Sequence, residues 1–390
     1  MKVALVIALG LALEGCSDPH GIVLWHAYNG AERTALEQTA RTWNAAHPDQ
    51  PLDLVAVPFD GFGDKLSSAI PRGNGPDLFI YPQDRIGDWA DSNVIEPIEF
   101  WVDDARADRF RADAMGAMAY RGSLWGLPMT IKPLALYYRT DLVPEPPRTT
   151  DELLAFTKPM RAKDGYALAY ANVDLYGHAA WLHGFGGRVM DNDGTLRIAT
   201  PEAAEAAAFA RDLVKVGAVP DDAQAPLVTS LFNEGRAAMA MSGPWFAADI
   251  RPGVPWKVAT LPMISATHQY AAPFASAEAL VMSARAHDKD GAFAVMDFLT
   301  GDAAATTRAK LAHQVVPNPV AYRDPDVAAD TTLATFVRQL EHSVPLPTAP
   351  AMRMVWTPYR TALGDVFAGR AEPGPRLIDT EKELEGYLRR

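Results

Sequence analysis

Apolar positions in this chain fall into short runs and helical stripes that alternate. Gly21 to Trp25 reads as a buried strand, and Trp25-His26-Ala27-Tyr28-Asn29-Gly30 as the turn that ends it. Leu36, Ala40 and Trp43 then recur at helical spacing between Thr34 and Ala46, and His47-Pro48 stops the helix. Leu52 to Val57, apolar and β-branched, predicts a second strand. A helix around Lys65 to Ile70, the loop Pro71 to Pro76 and a strand from Asp77 to Tyr81 repeat the order. Strands alternating with helices imply a mainly parallel sheet, whose strand-end loops are the usual place for ligands.

Gly122 to Val143 is where one lobe hands over to another. Leu124, Trp125 and Leu127 lead in, and Leu134, Leu136, Tyr137 and Tyr138 lead out. Pro128 and Pro133 between them favour extended backbone. Pro144 to Pro147 is a stiff connector, and Thr149 with Glu152 forms a capping box that opens a helix. The chain then starts again with similar ingredients. Thr200-Pro201 opens a helix with Ala206, Phe209, Leu213 and Val216 on one face, and Gly217 ends it. Ala237 to Met241, after the turn Asn233 to Arg236, and Val258 to Leu261 predict strands. Gly291 to Leu299 predicts a helix with Phe293, Met296 and Leu299 inward. No solenoid period or low-complexity tract occurs.

The length of 390 residues exceeds one ordinary core and points to two domains or three. Apolar residues at 48% and charged residues at 22% fit a folded globular chain. The formal net charge of -12, with no basic run, argues against nucleic acid. Lys2 followed by the apolar run Val3 to Leu13 has the form of a secretory signal, too short to span a bilayer. Leu13-Glu14-Gly15-Cys16 resembles a bacterial lipoprotein signal, with Cys16 as the lipid attachment point. The alternative is a signal left uncleaved or cleaved elsewhere. Cys16 is the only cysteine, so no internal disulfide exists, and lipidation gives a lone exported cysteine a reason.

No GxSxG elbow, Walker loop or HExxH occurs, and His178 and His183 are wrongly spaced to share a metal on one helix face. Asp84 and Asp88 form a conceivable acid and base pair, at a spacing that is equally common on helix surfaces. What stands out is aromatics beside charged groups at predicted strand and loop ends. Tyr81 lies near Asp84 and Arg85, Tyr176 and Trp181 near Asp174, Trp245 after Ser242-Gly243-Pro244, and Trp356 near Arg360. Asn29 ends the first turn. A sugar offers apolar faces and a rim of hydroxyls, which flat aromatics and planar charged groups suit. Core packing competes for any single tryptophan among nine.

Gly75-Pro-Asp-Leu-Phe-Ile-Tyr-Pro-Gln-Asp-Arg85, Trp125-Gly-Leu-Pro128, Ala135-Leu-Tyr-Tyr-Arg-Thr-Asp141, and Phe232-Asn-Glu-Gly-Arg-Ala-Ala-Met239 with Ser242-Gly-Pro-Trp245 follow in order. Together they resemble the extracellular solute-binding proteins of ABC sugar importers, maltose- and maltodextrin-binding proteins in particular, over almost the whole mature chain. The resemblance implies an α/β chain of the periplasmic-binding-protein type II class, two α/β lobes with a ligand cleft between them. It places a signal at 1–15, one lobe at 16–130 and 272–325, and the other at 131–271 and 326–390, with a first crossing near Met129 to Lys132. It makes Tyr81, Tyr176, Trp245 and Trp356 sugar-stacking aromatics and Asp84, Arg85 and Asp174 groups for hydroxyls, with Asn29 and Arg360 beside them. Lys132 stands where the family pattern has a glutamate. That departure predicts a reversed local charge and a lost acceptor, and points away from maltose toward a different α-glucoside such as trehalose.

The implied function is sugar capture by hinge closure and delivery to ABC permease subunits with their cytoplasmic ATPase. The protein is expected as a lipid-anchored monomer at the periplasm or cell surface, with no cofactor, metal or catalysis. A sugar sensor without transport and a secreted carbohydrate-active enzyme are the alternatives.

Overall fold

A computed structural model describes residues 21–191 and 194–389. The signal segment and Cys16 lie outside the described residues. Among these, no helix is long and apolar enough to cross a membrane.

Two separate sheets organise the chain. In the first, Ile22–His26 pairs in parallel with Leu52–Ala56 on one side and Leu78–Pro82 on the other. The parallel run ends there. Phe274–Met282 lies antiparallel to Leu78–Pro82 and, on its other flank, antiparallel to Leu127–Lys132. A chain segment nearly two hundred residues distant thus enters the sheet against the direction of its neighbours, which local alternation does not reveal. The second sheet runs Trp256–Ala259, Ala135–Arg139, Ala237–Ser242, Tyr166–Ala169, and only its last pairing is parallel.

Helices cover both sheets. Gly30–Ala46 and Lys289–Thr300 bury Leu36, Trp43, Phe293, Met296 and Leu299 against one face of the first sheet, and Phe62, Leu66 and Trp89 fill the other. In the second lobe, Leu175–Gly184, Pro201–Lys215 and Met352–Phe367 build the larger core. A further core around Phe232, Phe246 and Phe336 reaches Ile131 and Val315 at the border between lobes.

The helix starts follow their capping chemistry. The Thr200 hydroxyl accepts the Ala203 N–H at 3.2 Å. The Thr149 hydroxyl accepts the Glu152 N–H at 3.2 Å, but the Glu152 carboxylate takes the Arg148 N–H at 2.6 Å instead of that of Thr149. The reciprocal half of the capping box therefore lands one residue early. Val216, expected on the buried face, is 57% exposed because the helix ends at Lys215.

The chain changes sheet between Lys132 and Ala135, across Pro133, just beyond the stretch to which the family resemblance points. It returns ahead of Phe274. It leaves again after Asp302–Ala312 for Thr331–Gln339, where the Gln339 side chain accepts the Leu261 N–H at 2.7 Å.

Candidate functional site

In the first sheet the helices that follow Ile22–His26 and Leu78–Pro82 pack on opposite faces, the arrangement at which open α/β sheets place ligand sites beside the strand ends. Tyr28 and Asn29 follow the first of these strands, and Asp84 and Arg85 the second. The start of Ala135–Arg139 pairs with the end of Ala237–Ser242, so Lys132, Trp245 and the start of the helix Leu175–Gly184 meet at one edge of the second sheet.

Asp84 is the centre of one side. Its carboxylate is buried and accepts the Trp356 indole N–H at 3.2 Å, a bond from the second lobe to the first. Burial raises the Asp84 carboxyl to about 6, against the opposing pull of the Arg85 charge and the indole bond. Arg85 is turned away from Asp84. It binds Asp88 at 3.1 Å and the Ser67 hydroxyl at 3.2 Å, and Arg353 of the second lobe adds a contact to Asp88 at 3.2 Å. Two arginines thus neutralise Asp88, which does not form an acid and base pair with Asp84. Tyr81 stacks on the exposed Phe59, ring centres 5.7 Å apart.

Lys132 is the centre of the other side, and here the structure corrects the sequence. The ammonium is buried 2.8 Å from Glu32 and 3.0 Å from Glu278. The charge is therefore not reversed, because two carboxylates from other elements surround the lysine and restore the acceptors. Burial pulls the ammonium's pKa down, but the attraction of Glu278 and Glu32 together outweighs it and holds the group charged well above its ordinary value. Glu278 also accepts the Tyr28 hydroxyl at 2.7 Å and the Thr130 hydroxyl at 3.0 Å. Glu32 accepts the Gln314 amide at 2.9 Å.

Trp245 enters from the second lobe, its ring centre 5.6 Å from the Lys132 nitrogen. Its indole folds back over Gly243, where an added Cβ would stand 2.0 Å from the ring. Glycine is required there for space, and the Tyr137 hydroxyl fixes the loop by donating to the Gly243 carbonyl at 3.0 Å. A Cβ on Gly30 would stand only 2.7 Å from the Ala248 methyl, so the lobes meet at this edge too.

Tyr176 lies between the two sides. Its hydroxyl donates to the Lys132 carbonyl at 2.6 Å and lies 2.8 Å from the Ser276 hydroxyl, joining two crossing segments. The field at that hydroxyl includes both Lys132 and Asp84. Asp174 caps the helix by accepting the Tyr176 N–H at 3.0 Å and pairs with Arg360 at 2.8 Å, so both its oxygens are engaged. Asn29 is exposed and makes no side-chain cap. Trp181 is a core residue, bonded to the Tyr170 hydroxyl at 2.9 Å. Among the described residues no cluster of three His, Cys, Asp or Glu could hold a metal. The chain's own geometry adds Tyr28, Glu32, Phe59, Thr130 and Glu278 to the candidates read from sequence.

The family model for bacterial extracellular solute-binding proteins matches residues 29–306. The chain belongs to that family. A maltotriose-binding protein from Pyrococcus abyssi is 27% identical over 376 residues, 94% of this chain and 80% of the relative. The maltodextrin-binding protein MdxE of Bacillus subtilis is 26% identical over 332 residues, 81% of this chain and 76% of its own. Among solved structures, the maltotriose-binding protein of Thermus thermophilus bound with maltotriose superposes with a TM-score of 0.86 at 25% identity, covering 94% of this chain and 100% of that one. The fold of this solute-binding protein is the periplasmic-binding-protein type II fold with two lobes. Its relatives are binding proteins, and it is a binding protein, not an enzyme.

Proposed function

We propose that this solute-binding protein captures a mono- or oligosaccharide, maltodextrin-like or another α-glucoside, and hands it to an ABC permease. The lobes, divided at about residues 130, 271 and 325 on the family pattern, close on the sugar, and the closed form is the one the permease reads. Export by the N-terminal signal and acylation of Cys16 would hold the protein at the membrane beside its partner.

One observation carries the sugar reading. At the strand ends, flat aromatic faces stand beside a buried carboxylate whose hydrogen-bonding capacity is not used up. Asp84 takes one side-chain donor, the Trp356 indole. A buried carboxylate with so few donors is costly, and ligand hydroxyls would supply what is missing. On the other side Trp245 stands 5.6 Å from the Lys132 ammonium, a group already paired by Glu32 and Glu278, so that side offers a flat face more than a free donor. Because Glu32 and Glu278 restore acceptors beside Lys132, the charge argument against maltose falls away, and maltose, maltodextrins and trehalose are all within range.

The test is a thermal-shift and calorimetric screen of the mature protein lacking Cys16 against maltose, maltotriose, trehalose, sucrose, glucose and a set of amino acids. A ligand of the native state raises the melting temperature by mass action. A shift with one sugar class and none with amino acids is expected. A shift with amino acids alone, or with nothing in the panel, would remove the carbohydrate assignment while leaving the fold untouched.

A further inference from the structure

The surroundings of Lys132 have the chemistry of a receptor for a cation. Two carboxylates lie 2.8 and 3.0 Å from the ammonium. Two aromatic faces complete the enclosure, with ring centres at 4.9 Å for Tyr28 and 5.6 Å for Trp245. Acids and aromatic rings around one point are how proteins recognise alkylammonium ligands. Here the cation belongs to the chain.

The enclosure is held by groups other than the lysine. Glu278 is fixed by the Tyr28 and Thr130 hydroxyls, and Glu32 by the Gln314 amide. Trp245 is fixed by its packing over Gly243. The four walls come from the turn after Ile22–His26, the helix Gly30–Ala46, the strand Phe274–Met282 and the second-lobe loop after Ala237–Ser242. Removing the ammonium would leave the walls standing, with two carboxylates facing an empty position.

We propose that Lys132 is a specificity-determining residue, a tethered ammonium that fills a preformed cation enclosure from within. The cleft then admits neutral sugars and turns away amino sugars and alkylammonium ions. An incoming cation would meet Lys132 itself, and the two acids that would attract it are already paired. The inference rests on the reading of the cleft as a carbohydrate site and extends it to the charge the ligand carries.

The test is rescue of Lys132→Ala by ethylammonium chloride, read by thermal shift and calorimetry at constant ionic strength with sodium chloride as control. No sugar is needed, so a failed sugar panel would leave this result standing on its own. Saturable stabilisation of the variant by ethylammonium is expected, with affinity at least about tenfold above that of the wild type and no matching effect of sodium. Equal responses of variant and wild type would overturn the proposal. Should Lys132→Ala not fold alone, refolding yield gives the same reading. A yield that rises with ethylammonium supports the enclosure, and equal yields in the two salts overturn it.

Discussion

Asp84 and Lys132 are equally deep charged groups, both in contact with residues of the second lobe, and their surroundings treat them in opposite ways. Each is 7% exposed. Lys132 has two carboxylates within 3.0 Å, themselves anchored by three other side-chain hydrogen bonds in the same cluster. Asp84 has an arginine neighbour that is committed elsewhere, a single side-chain donor in the Trp356 indole, and a backbone hydrogen bond of its own. Burial alone therefore does not decide whether a group keeps its charge; the number of correctly placed partners does. One centre is complete without ligand. The other is left wanting donors, and on the proposed function that is where a ligand would change the energetics of closure most.

Breaking the complete centre should produce the largest effect. Lys132→Met keeps the volume but leaves Glu32 and Glu278 buried without their cation, a change worth about 3 to 5 kcal/mol of stability. Urea unfolding would measure it. Adding Glu278→Gln to Lys132→Met should recover a substantial part, because one of the stranded charges is removed with its partner. A Lys132→Met protein as stable as the wild type would mean that the acids are solvated and the cluster is not a closed unit.

The incomplete centre predicts the reverse sign. The Asp84 carboxyl titrates at about 6 in the fold, against about 4 in an unfolded chain, so between those values the native state binds more protons. Stability from this group falls as pH rises from 4 to 6 and stays at the lower level above 6. Asp84→Asn should therefore stabilise the ligand-free protein at pH 8 by roughly 2 kcal/mol, with the gain fading as pH falls through 6 and gone near 4. The same change should weaken sugar binding about tenfold or more, since a charged acceptor is lost. Paired melting curves across pH and calorimetry at pH 8 test both halves. Destabilisation at pH 8 would show that Asp84 is better satisfied than its partners in the ligand-free fold suggest.

The two centres also differ in how far sequence exposes them. Asp84, Arg85 and Tyr81 sit at the end of one apolar run, so a local pattern reaches them. Glu278 meets Tyr28 across 250 positions and Thr130 across 148. No short-range spacing encodes those contacts, and Lys132 without them reads as a charge reversal. One local signal was present, a glutamate in the centre of the apolar run Phe274–Met282, where a buried carboxylate demands a partner. Helices with strong caps, such as Pro201–Lys215, were legible because their start signals are local. The antiparallel entry of Phe274–Met282 was not, because pairing between strands so far apart in the chain is a property of the assembled fold.

The smallest effect should come from Tyr176→Phe, and it is the change that tests whether the two centres act through one hinge. The phenyl ring keeps the packing against Trp245, 6.4 Å away, and against Phe274, 6.2 Å away. What is lost is the hydroxyl that reaches both the Lys132 carbonyl at 2.6 Å and the Ser276 hydroxyl at 2.8 Å. Neutral bonds of this kind contribute about 1 kcal/mol each at most, so the drop in stability should be near 1 kcal/mol. The dynamic consequence is larger in kind than in size. Lys132 stands just before one crossing and Ser276 just after another, and Tyr176 on the second-lobe helix is the side chain that holds both. Releasing them should speed opening and closing in the ligand-free protein, visible as altered exchange broadening in relaxation dispersion. If stability drops while the motion stays the same, Tyr176 is a packing residue and the hinge is set by the backbone alone.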